Sequence, residues 1–144
     1  MRQEPQIRLI QVPSFTDDRG TLAVVEWLEH LPFTPERFYY IYGVTPRAHR
    51  AGHAHWVESE AVFALRGGVT VLTDDGRKRV EHRLERPDLS LLIPPGVWHE
   101  LYGFRPDTVC GVFASRRYNI EDYCRDYNEF LQKVGGPHAE NPSS

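Results

Sequence analysis

Short segments rich in β-branched and aromatic residues alternate with turn residues from Ile7 to about Ala114. The candidate strands are TLAVVEW, RFYYIYGV, AVFALRG, VTVLTD, KRVEHRL, SLLIP, HELYGF and TVCGVFAS. Turn signals recur about every eight to twelve positions, a spacing typical of an all-β sandwich or barrel. The pattern predicts a small jelly roll or barrel of antiparallel strands.

Two of the predicted turns are especially clear. Asp75-Gly76 separates two alternating segments, and glycine tolerates the positive φ that a tight hairpin needs. Pro94-Pro95-Gly96 ends another strand, because proline has no N–H to donate to a β-ladder and glycine permits a reversal.

Helical spacing follows the strands. Asn119 is a suitable N-cap, acidic residues follow it, and Gly135-Gly136 ends the segment. The apolar positions that recur at helical spacing are Ile120, Tyr123, Cys124, Tyr127, Phe130, Leu131 and Val134. We therefore expect one C-terminal helix packed on the barrel. The predicted organisation is one domain over 1–134 and a disordered tail over 135–144.

Composition narrows the function classes. The chain has 144 residues and a net charge of −3, with acidic and basic residues interspersed, so a nucleic-acid partner is not expected. No apolar run is long enough to span a membrane, and the N-terminus lacks the features of a secretory signal, so we expect a cytoplasmic protein without a membrane partner. Cys110 and Cys124 have no metal or redox spacing and are expected to be buried thiols.

Seven histidines are the unusual feature of the composition. In a strand, the spacing of His53 and His55 places both imidazoles on one face. Glu60 follows, and Pro94-Pro95-Gly96-Val97-Trp98-His99 delivers a third histidine after a turn. This layout resembles the two motifs of the cupin superfamily, although Arg47 and Asp88 stand where glycines usually open those motifs.

A closer resemblance covers nearly the whole chain. Its blocks are Asp18-Arg19-Gly20-Thr21-Leu22, Leu31-Pro32-Phe33, Arg37 to Tyr42, His53-Ala54-His55, Asp74-Asp75-Gly76, Val97 to Glu100, Ala114-Ser115 through Tyr118, and Asp122-Tyr123 to Tyr127 and Phe130. In order and spacing these blocks look like the sugar 3,4-ketoisomerase family, small cupins of deoxysugar biosynthesis that act on dTDP-4-keto-6-deoxyglucose. The resemblance implies an isomerase that moves a ketone between C4 and C3.

The resemblance also implies site residues. Moving the ketone requires a base near neutral pKa, a proton route and donors for an oxyanion, and it needs no redox cofactor. His53 aligns with the family's base, and His55 is the candidate for proton relay or orientation. Tyr39 aligns with an active-site tyrosine that can donate to a sugar oxygen. Arg19 aligns with an arginine beside the substrate, suited to a diphosphate or an enediolate.

Four further residues are candidates for substrate binding. Arg37 and Arg50 are either phosphate contacts or surface charges, and His99 is the third histidine of the motif pair. Trp98 either stacks on a base or sugar or is a buried support for His99. An ordinary structural role also remains open for Tyr39, within an aromatic strand, and for Arg19, beside a turn.

Departures from the family leave alternatives open. Arg50-Ala51-Gly52-His53 has its glycine one position later than the family pattern, and Trp56 replaces a common lysine. The family tends to carry glutamine where this chain has Glu60. With Glu60, the residues His53, His55, Glu60 and His99 form the ligand set of metal-dependent cupins, suited to one divalent transition metal such as Fe, Mn, Ni, Cu or Zn. A metal-dependent dioxygenase, isomerase or lyase is therefore one alternative to the cofactor-free isomerase. A non-catalytic sugar-binding cupin is another.

The family also implies a homodimer with exchange of an N-terminal strand. The apolar segment from Gln6 to Val12, followed by Pro13, is the candidate for that strand.

Overall fold

A computed structural model describes residues 6–135, and the predicted tail lies outside them except for Gly135. The described chain contains these strands: β1 Arg8–Gln11, β2 Ser14–Asp17, β3 Gly20–Ala23, β4 Arg37–Ile41, β5 Arg50–His55, β6 Glu60–Arg66, β7 Val69–Asp74, β8 Arg79–Leu84, β9 Leu89–Ile93, β10 Trp98–Tyr102, β11 Val109–Ala114 and β12 Tyr123–Cys124. A 3₁₀ helix, Ile120–Asp122, precedes β12, and the α-helix α1, Tyr127–Val134, ends the described chain.

The strands form two five-stranded antiparallel sheets and a separate hairpin. The first sheet has the order β1-β9-β6-β11-β4, the second has the order β12-β5-β10-β7-β8, and β2 pairs with β3. Neighbours in each sheet are mostly distant in sequence, as in a jelly roll. The predicted fold class, an antiparallel all-β cupin barrel with a C-terminal helix, is confirmed.

The main core lies between the two sheets. Val62 and Val112 lie opposite each other on β6 and β11, and both are almost completely buried. They pack with Val71 and Leu101 of the second sheet in one apolar cluster. Because side chains alternate across a strand, the same strands also carry polar residues into the barrel where the apolar cluster ends.

The predicted C-terminal helix is wrong in its first half. Asn119 caps only the 3₁₀ helix, since its side chain accepts from the Glu121 N–H, and the chain then extends. Tyr123 and Cys124 pair with β5, and this pairing buries Cys124. Their backbone groups bond to a neighbouring strand, whereas the sequence pattern predicted bonds within a helix. Helix α1 begins only after its own N-cap, Asp126.

The predicted ends of the helix and of two strands agree better with the structure. Gly135 ends α1 in the left-handed conformation, with φ 66°. Gly76 has φ 95° in the turn between β7 and β8. At Gly96, φ is 79° and the backbone N–H donates to the His55 carbonyl at 2.7 Å, which ties the proline turn to the histidine strand.

The N-terminal strands differ from the sequence pattern. The predicted strand TLAVVEW ends at Ala23, where β3 ends. Its partner β2 was missed because SFTD carries too few apolar residues to stand out and all four of its residues are exposed. The candidate exchange segment forms β1, which pairs with β9 of the same chain.

Within residues 6–135 there is no helix long and apolar enough to cross a membrane. Cys110 and Cys124 are free and buried, as expected.

Candidate active site

A cavity of about 610 Å³ opens between the two sheets. The first sheet contributes Tyr39 and Glu60 to its wall, and the second sheet contributes His53 and His99. The apolar core forms its floor, where Val62, Leu101 and Val112 line it. The cavity therefore joins a polar cluster to an apolar base, as ligand sites commonly do.

Strand pairing brings the three predicted histidines together. His99 on β10 lies opposite His53 on β5, and their ring centroids are 4.8 Å apart. His55 lies 4.8 Å from His53 and 5.9 Å from His99 by the same measure. Residues 53 and 55 share a strand face, and the antiparallel register adds His99 from far along the chain.

Glu60 connects this group to the first sheet. Its side chain is 2% exposed, and Oε2 accepts a hydrogen bond from the Tyr39 hydroxyl at 2.8 Å. Oε1 lies 3.4 Å from His99 Nε2, and Oε2 lies 3.7 Å from His55 Nε2. Burial alone raises the pKa of Glu60, but the hydrogen bond from His99 and the positive charge there outweigh burial, so this pKa is lowered and the carboxylate is ionised.

A second buried acid, Glu58, lies beside Glu60. Its Oε2 is 3.1 Å from Arg37 NH2 and 3.4 Å from His55 Nε2. Burial, followed by the interaction with Glu60, raises the pKa of Glu58 to about 8. Two carboxylates this close do not readily ionise together, so Glu60 carries the charge and Glu58 keeps its proton at neutral pH.

His53 and His55 are neutral in this environment. Burial, then the charge at His99, lowers the pKa of His53 to about 3, and burial lowers the pKa of His55 to about 4. The ring nitrogens of both residues form no hydrogen bond within the described chain. A base with a pKa near its ordinary value was expected from the sequence, and the structure corrects that expectation downward. His53 is available to accept a proton but is a weaker base than free imidazole.

Tyr39 and Arg37 form the opposite wall. Burial, then the negative charge of Glu60, raises the pKa of Tyr39, so its phenol stays protonated. The Arg37 guanidinium lies 5.3 Å from the centre of the Tyr39 ring and 5.7 Å from that of Tyr118. Arg50 lines the same cavity.

Two predicted site residues lie elsewhere in this chain. The Arg19 side chain is 86% exposed at the turn between β2 and β3, where it contacts Asp17 at 2.6 Å, and it is not part of the cavity wall. Trp98 is 5% exposed and packs against Phe130 and Tyr127 of α1. Of the two interpretations of Trp98, the structure shows the buried support rather than a surface for stacking, because the helix covers the indole.

Four residues near the site were not among the sequence candidates: Glu58 beside Glu60, and Tyr118, Tyr123 and Arg125 in the cavity wall. Tyr123 reaches it because β12 pairs with β5, which places its ring centroid 4.3 Å from that of His55. The Arg125 guanidinium lies 4.7 Å from the centre of the Tyr123 ring. Tyr123 belongs to the C-terminal block of the family resemblance, which could have indicated a place in the site. The helical spacing of the same segment instead predicted that Tyr123 packs as part of a helix.

Asp122 fixes the loop that carries Glu58. Its carboxylate accepts hydrogen bonds from the backbone N–H groups of Trp56, Val57 and Glu58 at 3.0, 2.8 and 3.0 Å. The same carboxylate lies 3.7 Å from His55 Nδ1. One side chain therefore sets both the loop after β5 and the surroundings of the second histidine.

The barrel and its three converging histidines place the protein among the cupins, with a site suited to proton transfer. Residues 5–135 match the family described as FdtA, WxcM-like, C-terminal. The chain belongs to this family, which confirms the family resemblance found in the sequence.

The relatives support the same assignment. The chain is 35% identical over 127 residues to the TDP-4-oxo-6-deoxy-α-D-glucose-3,4-oxoisomerase of Aneurinibacillus thermoaerophilus, covering 88% of this chain and 91% of the relative. A 3,4-ketoisomerase from Helicobacter canadensis superposes with a TM-score of 0.88 at 32% identity, covering 92% of this chain and 99% of that one. The ketoisomerase QdtA from Thermoanaerobacterium thermosaccharolyticum, solved as a histidine-to-asparagine mutant in complex with TDP-4-keto-6-deoxyglucose, gives 0.87 at 28% identity, covering 89% and 93%.

Proposed function

We propose that the protein is a nucleotide-sugar 3,4-ketoisomerase that converts dTDP-4-keto-6-deoxyglucose to a dTDP-3-keto-6-deoxyhexose. The observation that carries the proposal is a neutral His53 with unpartnered ring nitrogens in a cavity that also holds the protonated phenol of Tyr39. A base without a proton and a donor with one are what an enolisation requires. Family membership supplies the substrate class.

The reaction begins when His53 takes the proton from C3. The electrons of the C–H bond form a C3–C4 double bond, and the C4 oxygen becomes an oxyanion. The Tyr39 hydroxyl, which bonds to Glu60 in the free protein, turns to donate its one hydrogen bond to that oxyanion. The proton of the C3 hydroxyl then passes to the C4 oxygen, and the proton held by His53 is delivered to the C4 carbon, so C3 becomes the ketone and C4 carries a hydroxyl. Hydrogen moves only as a proton, so the reaction needs no redox cofactor, and we propose that turnover is also independent of metal.

Substrate binding and proton relay follow from charge and position. Arg37 and Arg50 line the cavity and suit the diphosphate. His55 contacts the carboxylates rather than the open cavity, so it acts as a relay or orienting group behind His53. Arg125 is a third basic side chain in the wall.

In a homodimer, Arg19 of one chain could lie beside the active site of the other. The β2–β3 hairpin exposes the cross-strand pair Phe15 and Leu22, which are 63% and 59% exposed. Exposed apolar pairs of this kind are typical of contact surfaces. We propose that a second copy of the chain covers this hairpin and that Arg19 reaches the cavity of that copy. The proposal does not depend on exchange of β1 between the two copies. The cytoplasmic location stays a prediction.

Turnover in deuterated buffer tests the activity. Purified protein is incubated with dTDP-4-keto-6-deoxyglucose and a chelator, and proton NMR follows formation of a 3-keto sugar and solvent exchange at C3 or C4. We expect chelator-resistant turnover that His53→Asn lowers by about two to four orders of magnitude. His82→Asn is the control, because His82 bonds to Thr73 and is not part of this cavity wall. Turnover that requires added metal would favour the metal-dependent alternative, and binding without turnover would favour the non-catalytic one.

Mixing two inactive variants tests the contribution of Arg19. If Arg19 acts across a dimer, co-expressed Arg19→Ala and His53→Asn chains form one site with both changes and one intact site, so activity returns. If Arg19 acts within its own chain, every site keeps a defect. A monomer by light scattering at micromolar concentration would contradict the dimer.

A further inference from the structure

Two arginines of the cavity wall differ in their burial. The Arg37 side chain is only 18% exposed, whereas Arg50 is exposed and lies opposite Leu101 at the first position of β5. Both line the cavity, and charge alone suits both guanidinium groups to a diphosphate. Their surroundings therefore have to show whether they contact the same part of a substrate.

Two aromatic rings and one acid hold the Arg37 guanidinium in place. Its central carbon lies 5.3 Å from the centre of the Tyr39 ring and 5.7 Å from that of Tyr118. The NH2 group donates to Glu58 Oε2 at 3.1 Å and lies 3.9 Å from Glu60 Oε2. A long side chain fixed by contacts of this kind has less rotamer freedom to lose when a ligand binds, so the guanidinium is preorganised.

The other terminal nitrogen of Arg37, NH1, is buried and forms no hydrogen bond within the described chain. Buried polar atoms normally have a partner, and a charged donor without an acceptor is especially costly. Because Arg37 lines the cavity, an oxygen atom of a bound substrate can be that acceptor. The guanidinium therefore combines a fixed orientation with a donor that suits an oxyanion.

Arg37 shares neighbours with both residues that the proposed reaction uses. Glu60 Oε2 accepts from the Tyr39 hydroxyl at 2.8 Å, and the same oxygen lies 3.9 Å from Arg37 NH2. The Tyr123 ring centroid lies 4.8 Å from that of His53. Burial raises the pKa of Tyr123, and the charge of Arg37 opposes that rise, so Arg37 also acts on the Tyr123 hydroxyl. These contacts place Arg37 among the groups that surround the reacting part of the sugar.

We propose that Arg37 is a catalytic residue that donates from NH1 to the reacting oxygens of the keto sugar and stabilises the enediolate, and that Arg50 contacts the diphosphate. This assignment rests on the proposed function, because it requires an enediolate. The C4 oxygen is neutral in the ketone and becomes negative as the C3 proton leaves. A fixed cation beside it therefore stabilises the transition state more than the bound substrate. Tyr39 has to turn from Glu60 to reach that oxygen, whereas Arg37 NH1 has no partner in the described chain to leave.

Kinetics of Arg37 variants of the full-length protein test the catalytic role. We expect kcat of Arg37→Ala to fall by about 100- to 1,000-fold with little change in KM, because the lost donor acts on the transition state. Arg37→Lys is the second variant, since it keeps the charge but lacks the planar fork that reaches Glu58 and the sugar together. Arg66→Ala is the matched control, because Arg66 is exposed at the end of β6 and is not part of this cavity wall. Melting temperatures check that each variant is folded.

Calorimetric titration with dTDP separates the two arginines without reference to turnover, because dTDP has the diphosphate and no keto sugar. We expect Arg37→Ala to bind dTDP as the wild type does, and Arg50→Ala to bind it at least about tenfold more weakly. Weaker dTDP binding in Arg37→Ala, unchanged dTDP binding in Arg50→Ala, or an equal loss of kcat in Arg66→Ala would overturn the assignment. Wild-type turnover with unchanged kcat in a folded Arg37 variant would reject the assignment alone. A wild-type protein without turnover would reject the proposed function.

Discussion

The phenol of Tyr39 donates a hydrogen bond to Glu60 across 2.8 Å, so a buried carboxylate orients the hydroxyl that can stabilise an oxyanion. We expect Tyr39→Phe to lower kcat by about two orders of magnitude, because it removes a donor from the reacting oxygen. Steady-state kinetics by the NMR assay give the measurement. Tyr40→Phe is the control, since Tyr40 follows on the same strand and is 61% exposed. Equal losses in the two variants would contradict a specific role of the Tyr39 hydroxyl in turnover.

The acidic side of the pH–rate profile reports on His53. Since burial lowers the pKa of His53 to about 3, the base is deprotonated throughout the neutral and mildly acidic range. We expect kcat/KM to stay level down to about pH 5, whereas an imidazole with its ordinary pKa would lose activity below about pH 6.5. A decline of kcat/KM centred near pH 6.5 would contradict the prediction, because it would mean that His53 keeps the ordinary pKa of a solvated imidazole.

Glu58 makes stability depend on pH in a defined direction. Its pKa rises from 4.5 to about 8 on folding, so between these values the native state keeps a proton that the unfolded state has lost. Stability of the wild type should therefore fall as pH rises through this window. Glu58→Gln has no such proton, and urea denaturation near pH 5 and near pH 8 should show the variant gaining on the wild type at the higher value. Glu129→Gln, with a side chain 54% exposed, is expected to show no such trend.

Removal of the Asp122 carboxylate should loosen the site from behind. Asp122→Ala removes the carboxylate that accepts hydrogen bonds from three backbone N–H groups, and only that of Trp56 keeps a second acceptor, the backbone carbonyl of residue 122, so we expect a loss of roughly 2 kcal/mol in the free energy of unfolding. Turnover should fall as well, because the same loop carries Glu58. Chemical denaturation measures the first effect. The neighbouring Glu121→Ala serves for comparison, since Glu121 is exposed, and a similar loss there would point to the 3₁₀ helix rather than to the carboxylate.

Much of the barrel could be predicted from the chain because alternation is a local signal. Strands such as Val69–Asp74 and Val109–Ala114 were found within a residue or so, and the His53, His55 and His99 motifs indicated which side chains converge. Glycine at the turns acted locally too, since Gly76 and Gly96 adopt positive φ there.

Other features depend on pairing between distant segments. The segment from Ile120 onward has the spacing of a helix, but Tyr123 and Cys124 pair with β5 as a strand. Burial against the sheet favours the strand. Trp98 lies in the motif that delivers His99 to the site, yet α1 covers the Trp98 indole.

The sequence by itself determined the fold class, the family and the residues from which a proton-transfer site is built, because strand alternation and motif spacing are properties of neighbouring residues. Only the tertiary structure decided that Glu58 and Glu60 share one buried environment, that His53 is neutral, and that Arg19 lies on an exposed hairpin of its own chain. These properties depend on burial and on charges brought together from different strands, and no local pattern contains them.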